Sequence, residues 1–233
     1  MNTKIFNKVN EMIKDSPQLL LDDELMRQAI NGEFCVNVQH TFTTISSLVT
    51  DIDEAIMEKY FSEVWQPESK KYKYSGLGII DEVNDLNPEN VLDIGCGYNE
   101  FKGKIKNLIG IDPYNIRADV MVHTLKYQTD ILYDVVICLG SINFGSTDKI
   151  IKELQKAVSL TKTGGMLIFR ANPGIQHKAL ESQWIDFFDW DTSFIMNIAQ
   201  SLNCTVQRLH RDIPKNAVNG RRFYFELINN NNK

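Results

Sequence analysis

Apolar positions along this chain change period near residue 75. Before it they recur at helical spacing: Ile5, Phe6, Val9, Met12 and Ile13 form one stripe, and Pro17 breaks the pattern after it. Asp22 and Asp23 can cap a second helix through Leu25, Met26, Ala29 and Ile30, with Gly32 as its stop. Asp51, with Glu54 three residues on, makes a capping-box-like start to a third, whose apolar face carries Ile52, Ile56, Tyr60 and Val64 before Pro67. After residue 75 short apolar runs alternate with amphipathic stretches. Val91–Ile94, Leu108–Ile111, Ala118–His123, Tyr133–Leu139 and Met166–Ala171 read as strands of a mostly parallel sheet. Ser75, Ser146 and Asp191 are placed to cap the helices among them. Thr205–His210 and Arg222–Ile228 pair as an antiparallel hairpin. The expected fold is α/β: a doubly wound, mostly parallel, seven-stranded sheet with a C-terminal antiparallel hairpin and an N-terminal helical cap. Its parts are a cap over 1–74, a ligand-binding domain over 75–228 and a disordered asparagine-rich tail over 229–233.

Two of the runs end in chemistry. The first leads into Gly95-Cys96-Gly97-Tyr98-Asn99, where glycine permits positive φ and close approach of a ligand, and Asn99 tolerates left-handed geometry. The second delivers Asp112 and Pro113 at its carboxyl end, where ligands of open α/β sheets bind and an acid suits a ribose diol. Two cofactor classes use this layout. A dinucleotide site wants G-x-G-x-x-G, but Glu100 stands in the third glycine's place and sets a carboxylate near a pyrophosphate. Asp93, two residues before the first glycine, repels phosphate and welcomes a cation such as an amino acid's ammonium group. S-adenosylmethionine carries that ammonium, a sulfonium and a ribose, and no phosphate. The charge pattern favours it, with a nicotinamide-dependent oxidoreductase as the weaker alternative.

Val91-Leu92-Asp93-Ile94-Gly95-Cys96-Gly97 resembles motif I of the class I S-adenosylmethionine-dependent methyltransferases, and Gly110-Ile111-Asp112-Pro113 resembles their post-I acidic loop. The similarity spans roughly residues 75 to 228. It implies cofactor contacts from Asp93, Gly95, Cys96, Gly97, Asp112 and Pro113, from His123 and Thr124 after the third strand, and from Leu139 ending the fourth. It also points to Lys71 and Tyr74, ahead of the domain, as donors to the methionyl carboxylate. His123 departs from the family pattern, in which an acid often receives the adenine amine; a neutral imidazole can accept there instead. Only about ten residues separate Gly97 from Leu108, so the first helix must be very short or replaced by a loop. Some other segment should then cover the cofactor's methionine end, and the acidic N-terminal helices are either that lid or a cap whose charges face water. Gly140–Gly145 corresponds to motif IV, which makes Ser141, Asn143 and Phe144 candidate acceptor contacts. That loop lacks the Asn/Asp-Pro-Pro-Tyr/Phe signature of adenine-N6 enzymes, and the catalytic-cysteine pattern of cytosine-C5 enzymes is missing too. Asn143 and His177 are the candidate catalytic residues, His177 as a base. Trp184, Phe187, Phe188 and Trp190 form either core beneath a loop or the wall of a substrate pocket.

Composition narrows the partners. With 43% hydrophobic and 24% charged residues and a net charge of −5, the chain has the make-up of a soluble globular protein and little general affinity for nucleic acid. Between Arg208 and Arg222, however, five cations face the single acid Asp212. Strand alternation and pairing with the acidic N-terminal segment would disperse them, so no tight nucleic-acid binding is expected. Four widely spaced cysteines without a C-x-x-C pair read as buried thiols in a reducing compartment, with no metal site. The N-terminus lacks a signal-peptide core and no run is long enough to cross a membrane, so a cytoplasmic monomer or homodimer is expected. The expected activity is methyl transfer by in-line displacement to a small-molecule acceptor. The alternative is a cofactor-binding domain that regulates a partner without catalysis.

Overall fold

Side-chain caps set the helix starts in the N-terminal third. The computed structural model describes residues 1–39, 43–65, 76–211 and 222–232. Helix α1 (Thr3–Asp15) starts at Asn2, whose Oδ1 accepts from the amides of Lys4 and Ile5. The same side chain donates through Nδ2 to Asp53 Oδ1 and to the Trp184 carbonyl, each at 2.7 Å. Helix α2 (Asp23–Phe34) is capped by Asp22, as its sequence predicts, but passes through Gly32 and ends at Cys35 with φ of 53°. Burial of Phe34 against Trp184, ring centroids 4.8 Å apart, carries it past the expected stop. Helix α3 (Ile45–Lys59) begins well before Asp51, because Thr44 and Ser47 form a reciprocal capping box. It runs on into a single π turn, Tyr60–Val64.

The chain divides into two compact units, Met1–Gln66 with Gln176–Asp186, and Pro67–Ile175 with Phe187–Lys233. Ile5, Val9, Met26, Ile30, Leu48, Val49 and Ile52 bury the inner faces of α1 to α3 in the first unit. The second unit is an α/β sheet. Its strands β1 (Val91–Ile94), β2 (Leu108–Ile111), β3 (Tyr133–Leu139), β4 (Thr161–Ala171), β5 (Cys204–Arg211) and β6 (Phe223–Asn229) lie in the order β2-β1-β3-β4-β6-β5. The first four are mutually parallel, so their carboxyl ends share one edge, and β6 runs antiparallel to both β4 and β5. Alternation along the strands builds a core on each face. Helices α5 (Thr147–Leu160) and α6 (Thr192–Ser201) pack on Leu92, Ile94, Val136, Leu167 and Phe225. Helix α4 (Ile79–Asp85) covers Val91, Val135, Ile137 and Ile168 on the other face. Asp191 caps α6 by accepting from Phe194 N, as its sequence predicts.

Among the described residues the sheet has six strands where seven are expected. Residues 118–123 do run beside β2, but only as an isolated bridge between Ile111 and Val120. The amides of Asp119 and Val120 both donate to Gly110 O, and Asp119 Oδ2 takes the Gly110 amide, so the regular ladder is broken at its start. Val120 and Met121 are exposed, and of the apolar residues here only Val122 packs on the core. The asparagine run, expected to be disordered, is bonded from Asn229 to Asn231. Asn229 is fully buried and donates to Thr161 O at 2.8 Å, while its Oδ1 accepts from the amide and side chain of Asn231. It thus satisfies carbonyls at the junction of α5 and β4. Asn229→Ala should cost about 1–3 kcal/mol in urea unfolding by leaving that carbonyl buried and unpaired. Exposed Asn232→Ala should stay within about 0.5 kcal/mol of wild type.

Candidate active site

Strand β1 ends in the glycine turn, and the turn is tied to the neighbouring strand. Gly95 N and Cys96 N both donate to Ile111 O, at 2.8 and 3.0 Å. The next amide, Gly97 N, donates to Asp112 Oδ2 at 3.0 Å. Holding three successive amides toward β2 requires a tight coil, and Gly95 and Gly97 have φ of 68° and 54°. Gly95 also lies against Ser141, whose Cβ is 2.2 Å from where a Gly95 Cβ would stand, so the loop after β3 packs directly on the turn. No helix follows. Residues 98–107 are successive turns closed by bonds such as Lys102 N to Asn99 O and Ile105 N to Phe101 O, as the short spacing predicts.

Asn99, at φ of 56°, is folded back over β2. Its Oδ1 stands 2.6 Å from the position of a Gly110 Cβ, so Gly110 must be glycine. Its Nδ2 donates to Arg117 O and Asp119 Oδ2, while its buried Oδ1 has no donor among the described residues. Register places Asp93 directly beside Gly110 and Ile137. Asp93 is only 3% exposed. Burial first, and the Asp112 carboxylate second, push its carboxyl up to about 8. A buried carboxamide oxygen without a donor among the described residues and an acid kept neutral by its surroundings therefore both belong to the carboxyl end of β1 and its turn.

Asp112 is engaged on both oxygens. Besides the Gly97 amide on Oδ2, its Oδ1 accepts from Tyr114 N and Asn115 N at 2.8 and 3.0 Å. It is a structural staple of both loops as well as a candidate ribose ligand. Pro113 follows it, and the Tyr114 ring meets His123 edge-on, centroids 5.5 Å apart. Thr124 starts a short 3₁₀ turn, Thr124–Lys126, and Leu139 ends β3 against Arg170. Asp93, Gly95, Cys96, Gly97, Asp112, Pro113, His123, Thr124 and Leu139 all belong to the second unit, where β1 to β3 end on one edge. Lys71 and Tyr74 lie outside the described residues.

The two catalytic candidates belong to different units. Asn143 is buried, and its Oδ1 accepts from Asn172 N while its carbonyl accepts from Phe188 N, which staples the loops after β3 and β4 together. His177 belongs to the N-terminal unit, where its Nδ1 is 2.7 Å from the Tyr60 hydroxyl. The aromatic cluster divides likewise. Trp190 is core, donating through Nε1 to Ile142 O; Phe187 packs on Phe144; Trp184 belongs to the N-terminal unit. In the basic hairpin, Arg208 pairs with Glu82 of α4 at 2.7 Å and Glu226 of β6 at 3.1 Å, and Arg211 lies over the Phe223 ring. Lys215 and Arg221 lie outside the described residues. Sequence reasoning passed over Asn99 as an anchor and Arg170 altogether, although a lone arginine inside the apolar run Met166–Ala171 is itself a signal.

No family model and no curated protein match this sequence. Solved structures do. The chain is similar to a 1,6-didemethyltoxoflavin-N1-methyltransferase from Burkholderia thailandensis, with bound 1,6-didemethyltoxoflavin and S-adenosylhomocysteine (TM-score 0.59, 12% identity, covering 83% of this chain and 94% of that one). It is similar too to the N-methyltransferase NodS from Bradyrhizobium japonicum WM9 in complex with S-adenosylhomocysteine (0.54, 15%, 77% and 98%). A third is magnesium protoporphyrin IX methyltransferase from Synechocystis PCC 6803 with bound S-adenosylmethionine (0.55, 15%, 76% and 96%). At these identities the likeness is one of fold.

Asp93 gives a test that needs no ligand. Its folded pKa lies above the unfolded one, so its stability contribution is complete below about pH 4 and is lost as pH rises to about 8. Asp93→Asn should remove that loss. In urea unfolding from pH 5 to 8.5, wild type should weaken relative to the variant by a few kcal/mol, on the order set by the shift. A constant difference would show that Asp93 titrates normally.

Proposed function

We propose that this chain, whose fold is the class I S-adenosylmethionine-dependent methyltransferase fold, binds S-adenosylmethionine along the carboxyl ends of β1, β2 and β3 and transfers its methyl group to a small-molecule acceptor. One observation carries the choice of cofactor. A phosphate cradle needs backbone amides that point outward at a helix N-terminus, whereas Gly95, Cys96 and Gly97 all donate inward to Ile111 and Asp112 and no helix follows. The glycine turn is thus shaped for a ligand without phosphate, which weighs against a nicotinamide dinucleotide.

The residues present suit the parts of that cofactor. Asp93 and Asn99 Oδ1 offer acceptors to an ammonium group, which would restore the Asp93 charge that burial suppresses. Asp112 uses three of the roughly four acceptor positions of a carboxylate on backbone amides, which leaves one for a ribose hydroxyl. Tyr114 and His123 supply the surface for an adenine ring, with His123 able to accept from the exocyclic amine as neutral imidazole. The bound cofactor supplies an activated sulfonium methyl. The protein's own work is to hold the nucleophile in line and exclude water, with a base required only where the nucleophile has a proton to lose. Ser141, packed on Gly95, and the half-buried pair Phe144 and Phe187 are the acceptor-side surface of the second unit. The small molecules named for the toxoflavin and protoporphyrin enzymes support an acceptor of that class.

Incubating the protein with methyl-labelled S-adenosylmethionine and size-separated cell extract tests the activity. Label should move into the low-molecular-weight fraction with stoichiometric S-adenosylhomocysteine. Transfer confined to protein or RNA would overturn the acceptor class. Tight cofactor binding with no transfer to any fraction would instead favour a binding domain that regulates a partner.

A further inference from the structure

The loop from Gly140 to Gly145 joins β3 to α5 and lies on the glycine turn through Ser141, packed against Gly95. Within it Asn143 is only 3% exposed, and two bonds fix its direction. Its carbonyl accepts from Phe188 N and its side-chain oxygen from Asn172 N, each at 2.8 Å. A backbone amide can only donate, so the side-chain atom facing Asn172 is Oδ1, and the polarity of the carboxamide is settled. Nδ2 is left to face elsewhere, and it faces Gly140. Chain neighbours aside, it is the only described atom within 4 Å of where a Gly140 Cβ would stand, at 3.7 Å. A rigidly held donor therefore borders open space one residue beyond the carboxyl end of β3.

The other end of the loop carries a cation. Lys149 sits in the first turn of α5, where a positive charge opposes the helix dipole. Its side chain folds back over the loop, with Cδ 2.9 Å and Nζ 3.8 Å from where a Gly145 Cβ would stand. Asp148 precedes it, but adjacent helical residues do not face each other. Glu153, one turn further along α5, is the acid that feels Lys149. Burial pushes that carboxyl up to about 7, with Lys149 working against the rise. An acid that is part neutral at physiological pH leaves the ammonium charge incompletely balanced.

A donor at one end of the loop and a cation at the other call for a ligand group rich in lone pairs. The N–H of an amine finds no acceptor in Nδ2. An anionic oxygen takes both a hydrogen bond from an amide and the charge of an ammonium. We infer that the methyl acceptor is an organic anion, whose carboxylate or phosphate-ester oxygen is held over the Gly140–Gly145 loop by Asn143 Nδ2 and balanced by Lys149. This rests on the methyl-transfer reading above and narrows its small-molecule acceptor to an acid. Asn143 is then a residue that selects and holds the acceptor, and no base, since Nδ2 takes up no proton.

The low-molecular-weight fraction of a cell extract, split on a strong anion exchanger at pH 7 and assayed with wild-type protein and methyl-labelled S-adenosylmethionine, gives the first test. Acceptor activity should bind the resin and elute with salt; activity that passes unbound overturns the assignment. Phosphatase treatment before the assay tells the two oxygens apart, since a phosphate ester is destroyed and a carboxylate survives. Asn143→Asp keeps an oxygen for the Asn172 amide and turns the other atom from donor to acceptor. With the eluted acceptor it should lower kcat/KM by about tenfold or more, the range for a hydrogen bond to a charged group. Its affinity for S-adenosylhomocysteine, read by calorimetry, should stay within about twofold of wild type. Lys149→Gln should raise KM by about three- to fivefold and leave kcat in place, as for a partly solvated charge. Unchanged kcat/KM in Asn143→Asp, with cofactor binding intact, overturns the assignment while leaving methyl transfer standing. Should Asn143→Asp lose S-adenosylhomocysteine binding, its loop has come apart, and the resin and Lys149→Gln decide. Wild type that transfers label to no fraction overturns the methyl-transfer reading, and this one with it.

Discussion

Three consecutive backbone amides, those of Gly95, Cys96 and Gly97, donate to the end of a single neighbouring strand. The arrangement of the site follows from that choice. Amides turned inward need positive φ at both glycines, a carbonyl at Ile111 able to accept twice, and a side-chain acceptor at Asp112 for the third. They also remove the need for a helix whose N-terminus would face a ligand, and the chain dispenses with one. Asn99 takes over the helix's structural work by folding onto Gly110 and bonding to Arg117 and Asp119. The same bonds weaken the next stretch of sheet, because Asp119 answers Gly110 with its side chain where a regular ladder would use backbone.

Turning the amides inward leaves the carboxyl end of β1 rich in acceptors. Asp93 and Asp112 are close enough to raise the Asp93 pKa, and burial raises it further. In the absence of a cation the site keeps Asp93 neutral at a cost to stability above its unfolded pKa; a ligand ammonium converts that cost into binding. This is a physical reason for a cationic cofactor that stands apart from any likeness of fold. It depends on burial, and β1 is buried on both faces because α4 covers one side and α5 and α6 the other.

Much of this was legible in the sequence. The apolar runs that became β1, β2, β3 and β4, the antiparallel pairing of β5 with β6, the acid after β2 and the missing helix after Gly97 all follow from period and spacing. Where the sequence misled, a tertiary partner had outweighed a local signal. Gly32 looks like a stop, but Phe34 beyond it is buried against Trp184. Asp51 looks like a cap, but Thr44 and Ser47 satisfy each other earlier in the chain. The asparagine run has the composition of a loose tail, yet Asn229 finds a buried carbonyl at Thr161. Residues 118–123 have strand-like content, but edge exposure and the Asp119 side chain reduce them to a bridge. The use of the glycine amides and the placement of Asp93 beside Gly110 depend on register across strands far apart in sequence, which no local pattern encodes.

The central claim is that the glycine turn serves a cationic cofactor without phosphate. Parallel calorimetric titrations of the purified protein with S-adenosylhomocysteine and with NAD, at low and at physiological salt, test it most directly. The account predicts one-to-one binding of S-adenosylhomocysteine and no saturable heat with NAD at either salt concentration. Saturable binding of NAD, with S-adenosylhomocysteine inert, would contradict it.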